Sequence, residues 1–149
     1  MDPVRSPELV VQSSKPFNGE TPADKIALSF LTPNELFYVR NHLPVPFVDV
    51  DQFRLVIETP DGKLHEFAIE DLQKRFPERT VTATIQCAGN RRNEMTAIKS
   101  VRGGRWDAGA ISNANWTGVY LRDVLESLGF NSPSEEVRHV HFEGFIKVL

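Results

Sequence analysis

Reactive sulfur is nearly absent from this chain, which has one cysteine, Cys87. A lone thiol cannot close an internal disulfide, so the sequence carries no mark of an oxidising compartment. Positive charge is not in excess either. The formal net charge is −3 and the pI about 5.8, which argues against a nucleic-acid surface, whose footprint is basic over a whole domain. No apolar run is long enough for a membrane span, and no basic stretch precedes an apolar leader. The expectation is a soluble chain with no targeting signal. What is present is ordinary in amount: 149 residues, 40% hydrophobic and 25% charged. That balance suits one globular domain with a real core and excludes disorder or a fibre.

Proline punctuates the start. Pro3, Pro7, Pro16 and Pro22 each fix their own φ and push the preceding residue toward extended geometry, so residues 1–30 are expected to form a linker or strap without regular structure. In "LTPNELFYVRNHLPVP", Thr32 can cap a turn begun by Pro33, while Pro44 and Pro46 stop any helix and leave residues 37–42 in a loop. "FRLVIETPDGKLHEFAI" predicts a hairpin turned by Pro60-Asp61-Gly62. Leu72 and Phe76 lie four apart and predict a short helix stopped by Pro77.

In "VTATIQC", Val81, Ala83, Ile85 and Cys87 alternate with Thr82, Thr84 and Gln86, so a strand with a buried apolar face is expected to end at Cys87. Leu121, Val124, Leu125 and Leu128 form one helical stripe, with Gly129 as its stop. "VRHVHFE" predicts a final strand. Strands and short helices without regular alternation indicate an α+β domain rather than a doubly wound one.

Four clusters carry candidate chemistry. In "CAGNRR", Cys87 is either a small buried hydrophobe or a thiolate favoured by neighbouring cations. Ala88 and Gly89 leave room for another group to approach the backbone, and Gly89 can take the positive φ that ends a strand sharply. Arg91 and Arg92 are adjacent, so at most one is expected to face the Cys87 pocket. In "FYVRNH", Arg40, Asn41 and His42 offer a fork of donors, an amide and an imidazole, suited to phosphate or a polar heterocycle, or simply to local capping. In "SVRGGRWDAGAISNANW", Trp106 with Arg102 and Arg105 either walls an anion pocket or, with Trp116, anchors the core. His139 and His141 share a strand face, but no second pair of zinc ligands is evident, so they are read as structural.

"FYVRNHLPVP", "TATIQCAGNRRNEM" and "WDAGAISNANWTGVYLRDVL" together resemble the molybdenum-cofactor domain of the sulfite oxidase family, from about residue 3 to residue 144. "CAGNRR" is also shared with assimilatory nitrate reductase, while "NEM" and the preceding glutamine look more like sulfite oxidase. The resemblance implies a mixed-sheet α+β molybdopterin-binding fold and two-electron oxidation of sulfite to sulfate. Its cofactor is molybdenum with one pyranopterin dithiolene, and Cys87 matches the family's protein ligand to the metal. Phe37, Tyr38, Val39, Arg40 and Asn41 match the loop that holds the cofactor, with His42 beside it. Arg40, Arg92 and Trp106 match positions lining the substrate pocket, where cations draw in a dianion.

The electron acceptor implied is a haem domain, cytochrome c or oxygen, with haem only in a separate domain or partner. The resemblance also implies homodimers in full-length members and the mitochondrial intermembrane space, while the charge balance and the lack of a long apolar run lead to the expectation of no nucleic acid or membrane as partner.

Departures from the family shape a further expectation. The family domain continues with an aspartate soon after "FEG", where this chain has Ile146, and then with a histidine, an arginine and a lysine for the cofactor. It also supplies a tyrosine and an arginine to the substrate pocket, and none of these can be matched. The dimerisation domain and the N-terminal haem domain of animal members also lack counterparts. Residues 31–144 are therefore expected to be a partial, truncated domain and residues 145–149 a divergent tail, so that the chain alone is cofactor-poor and inactive. A nitrate-reductase-like domain and a non-catalytic product are the alternative readings.

Overall fold

Residues 4–133, 135 and 137–144 are described by a computed structural model. In chain order the elements are β1 (Val10–Ser14), β2 (Phe17–Glu20), α1 (Ala23–Ile26), a 3-10 turn (Asn34–Leu36), β3 (Leu55–Glu58), β4 (Leu64–Phe67), α2 (Ile69–Arg75), β5 (Glu78–Gln86), α3 (Arg92–Ile98), β6 (Ile111–Val119) and α4 (Leu121–Ser127). The class is α+β, as expected. The described strands pair as β1–β2, β3–β4 and β5–β6. Two units form, Met1–Pro46 with Val81–Trp116, and Phe47–Thr80 with Thr117–Leu149.

The start of the first unit departs from the expected strap. β1 and β2 pair antiparallel, from Val10 opposite Glu20 to Ser14 opposite Phe17, with a bulge between Val11 and Ser13. The prolines delimit this hairpin instead of preventing it. Pro7 precedes β1, Pro16 lies in the turn, and Pro22 caps the start of α1, all positions where a missing N–H costs no ladder bond; Pro3 lies outside the described residues. Thr32 does not cap the 3-10 turn, which starts at Pro33 without a side-chain cap. Its N–H instead donates to the Asn113 carbonyl (2.8 Å), and its Oγ1 accepts from the Asn113 N–H (3.2 Å).

β5 also differs from expectation. Every residue from Glu78 to Gln86 is exposed, including Val81 and Ile85. Alternation does mark a strand, but burial needs a layer packed on the apolar face, and β5 pairs only with β6 among the described strands. The threonine face is ordered by side-chain bonds running in antiparallel sequence, Thr80 to Thr117, Thr82 to Asn115 and Thr84 to Asn113.

In the second unit the expected hairpin and helices are present. β3 and β4 pair from Leu55–Phe67 to Glu58–Leu64, and Gly62 takes the positive φ (79°) of the turn. Phe67 (2% exposed) meets Phe76 at 6.3 Å between ring centroids. The α4 stripe buries Val124 (1% exposed), and Gly129 (φ 95°) follows the helix as its stop. The expected last strand is not formed: residues 137–144 join none of the described ladders, and alternation alone does not place a strand at a sheet edge. The tail at 145–149, with Ile146, lies outside the described residues.

Candidate functional site

Cys87 directly follows β5 and is half-buried. Its own turn is tight: the Asn90 N–H donates to the Cys87 carbonyl (2.9 Å), and the Gly89 N–H points at Sγ (3.4 Å). The segment is then joined bond by bond to residues 104–110. Cys87 N–H donates to the Ala110 carbonyl (2.9 Å), Arg91 N–H to Asp107 (2.7 Å) and Asn93 N–H to Trp106 (3.0 Å). Two side chains reinforce the join, with Asn90 Oδ1 accepting from Ala110 N–H (3.0 Å) and Asn93 Nδ2 donating to Asp107 Oδ1 (2.6 Å).

The two arginines diverge. Arg91, not Gly89, takes the left-handed conformation (φ 64°), a costly geometry for a side-chain-bearing residue. It is over-determined there by the Asp107 bond and by an ion pair from Nη2 to Glu94 Oε2 at 2.5 Å. The Arg92 guanidinium lies against Gly89 and Gly103, where an added Cβ would come within 2.7 Å and 2.8 Å of it. Its Nη1 donates to the Gly104 carbonyl at 2.6 Å. Arg92 and Arg105, with Asn93, Thr96, Gly103 and Gly104, line a cavity of about 540 Å³. Ala97 and Val101 complete the lining, and two arginines on one cavity suit an anion.

Trp106 lines no such wall. It is 2% exposed and is part of the core, one residue from the Arg105 that does line the cavity.

The second loop is fixed by the hairpin. Val39 and Gly19 exchange backbone bonds (2.8 and 3.0 Å), Asn41 N–H donates to Asn18 Oδ1 (2.7 Å) and Asn41 Nδ2 to the Phe17 carbonyl (2.8 Å). Arg40 bonds the Asn41 carbonyl, His42 Nδ1 and Asn18 Oδ1. Phe37 and Tyr38 stack at 5.5 Å, and Trp116 meets Phe37 edge-on at 5.7 Å. These rings, with Val39, Arg40 and Arg5, line a cavity of about 420 Å³. Burial pushes the Tyr38 phenol up, with a smaller electrostatic contribution from Cys87.

The sequence-predicted residues therefore assemble in two groups, Phe37 to His42 on one loop and Cys87 with Arg92 on another. His139 and His141 are exposed, and no group of three or more His, Cys, Asp or Glu among the described residues could hold a metal. A site with a single thiolate ligand from the protein needs no such group.

Arg5, Asn18 and Glu20 escaped the sequence reading. The available signal was "FNGET", polar residues at strand period, which ordinarily marks a solvated face. The buried Arg5 Nε has no hydrogen-bond partner among the described residues. A free buried donor beside Arg40 and three aromatic rings fits a flat anionic heterocycle, and a half-buried thiol fits a soft metal.

Residues 42–148 match the family described as the oxidoreductase molybdopterin binding domain, and the chain belongs to that family. The sulfite oxidase of Gallus gallus is 52% identical over 96% of this chain and 31% of its own length. The mitochondrial sulfite oxidase of Homo sapiens is 48% identical over 96% of this chain and 26% of its own length. Among solved structures, the sulfane dehydrogenase SoxCD of Paracoccus pantotrophus is similar with a TM-score of 0.56 and 26% identity, covering 83% of this chain and 29% of that one. The chain thus spans under a third of the length of these relatives.

Proposed function

We propose that this chain supplies part of the active site of a molybdenum-dependent sulfite oxidase. The observation that carries the reading is the Cys87–Asn93 segment, which presents a half-buried thiol and, five residues on, a guanidinium seated against two glycines beside a second arginine. In this reading residues 31–144 belong to the cofactor domain, and the β1–β2 hairpin before them helps frame the site.

When bound, a molybdenum pyranopterin would supply oxygen transfer and hold two electrons. Cys87 is the protein's thiolate ligand. Phe37, Tyr38, Val39, Arg40, Asn41 and His42 hold the pterin, joined by the unpartnered Arg5 donor. Arg40 and Arg92 attract sulfite and orient its oxygens, which leaves the sulfur lone pair free to react. Trp106 acts from below, its carbonyl fixing Asn93 next to Arg92.

Overall, sulfite and water give sulfate, two protons and two electrons, and the electrons pass to a haem domain, cytochrome c or oxygen. Homodimerisation and a mitochondrial intermembrane location complete the reading. In the full-length product carrying this sequence, Cys87→Ser should abolish sulfite oxidation while the fold survives, and nitrate should not substitute for sulfite turnover in the unmodified protein. Undiminished sulfite turnover by the serine variant would refute the assignment.

A further inference from the structure

One short strand touches both functional loops. Asn18 and Glu20 of β2 lie two residues apart, hence on one strand face, and both are buried, at 8% and 2% exposure. Asn18 Oδ1 accepts from Asn41 N–H (2.7 Å) and Arg40 Nη1 (3.4 Å), so it addresses the Arg40 loop. The Glu20 carboxylate accepts from the N–H groups of Asp107 (3.0 Å) and Gly109 (3.1 Å), and from Gln12 Nε2 (2.5 Å). The carbonyls of that same 107–110 segment hold the thiol loop, Ala110 through Cys87 N–H and Asp107 through Arg91 N–H. A buried carboxylate is costly unless such bonds are kept, so its partners are held in one place. Gly109 makes the fit close, since a Cβ there would lie 2.0 Å from the Thr21 carbonyl oxygen.

We propose that Asn18 and Glu20 are the positioning residues of the site, Asn18 setting the Arg40 loop and Glu20 setting the Cys87 loop through residues 107–110. The inference rests on the proposed function for the meaning of Cys87, while the positioning itself requires no metal.

The test uses the full chain, where Cys87 as the single cysteine makes a thiol reagent report one position. Glu20→Ala should speed Cys87 modification by 5,5′-dithiobis(2-nitrobenzoate) about tenfold, because charge-assisted bonds that close the segment are lost. Hydrogen exchange at the Cys87 and Arg91 amides, which Glu20 does not touch, should quicken with it. Glu20→Gln keeps one acceptor oxygen but loses the charge and the second acceptor, so its thiol rate should lie about threefold above the unmodified protein and below that of Glu20→Ala. Asn18→Ala should speed exchange at Val39 and Asn41 and leave the thiol rate within about twofold. Val124→Ala, buried in the other unit, gives a control with lowered stability and an unchanged thiol rate. If Glu20→Ala fails to fold, the same comparison is made with Glu20→Gln, whose thiol rate should then exceed that of Val124→Ala. An unchanged thiol rate in the glutamate variant, or an equal gain in Val124→Ala, would overturn the proposal. Failure of the proposed function would show separately, as a full-length product that purifies without molybdenum while the thiol results stand.

Discussion

The two units are held together by different physics. In the second, the largest buried side chains among the described residues are apolar, with Phe67 packed on Phe76 under Arg75 and Val124 turned inward from α4, and the one buried polar residue, Thr59, bonds only within its own turn. In the first, Asn18, Glu20, Thr21 and Ser112 are buried beside Leu9, Leu36, Trp106 and Ala110. Their bonds are directional: Thr21 Oγ1 donates to the Leu36 carbonyl (2.7 Å), and Ser112 Oγ accepts from Tyr38 N–H (3.1 Å). Apolar packing tolerates substitutes of similar volume, whereas a buried polar network fails when one partner is wrong. The unit carrying Arg40 and Cys87 is the one where residue identity is fixed by hydrogen bonds.

That contrast breaks if isosteric changes cost the same in both units. Phe67→Ala should destabilise by about 3–5 kcal/mol, but Phe67→Met by only about 1.5 kcal/mol or less. Glu20→Gln, equal in size, should still cost about 1–3 kcal/mol, since a carboxamide N–H₂ replaces one acceptor of backbone N–H groups. Urea denaturation of the three variants decides the matter. Within the first unit, Gly109→Ala should cost about 3 kcal/mol, because backbone must move. Gly104→Ala, whose Cβ would sit 3.5 Å from Trp106 Nε1, should be nearly silent, and thermal melting compares the two directly.

The function-bearing unit should also distinguish its arginines. Arg92→Lys in the full-length product keeps the charge but loses the planar fork, and should raise KM for sulfite about tenfold. Arg91→Lys, whose partner is the exposed Glu94, should change it less than about twofold. Steady-state kinetics at constant ionic strength separates them.

The smallest effect belongs to the hairpin turn. Bonds from Lys63 and Thr59 hold the Asp61 carboxyl well below the usual carboxylate range. Its contribution is therefore present above the ordinary carboxylate pKa, about 4, and is lost as pH falls through the depressed folded value. Asp61→Asn should flatten the acid loss of stability between pH 7 and pH 2, read by melting at each pH.

These two kinds of cohesion explain what could be read from the residues alone. Hydrophobic period and turn chemistry disclosed β3, β4, α2 and α4, whose boundaries rest on Pro60-Asp61-Gly62, Pro77 and Gly129. The motifs around Arg40 and Cys87 were legible as residue types. Their frame was not, because Asn18 and Glu20 find partners 23 and 87 residues away, and no local pattern encodes such distant bonds. The positive φ at Arg91 escaped for the same reason, being set by the Asp107 carbonyl. The bare face of β5 shows the converse, where a clean alternation fixes the strand but not what packs against it.

X-ray absorption at the molybdenum edge of the full-length product, compared with Cys87→Ser, tests the central claim most directly. Cys87 as the protein ligand predicts bound molybdenum that loses one sulfur neighbour in the serine variant. Molybdenum with an unchanged sulfur shell, or no molybdenum in the unmodified protein, would contradict it.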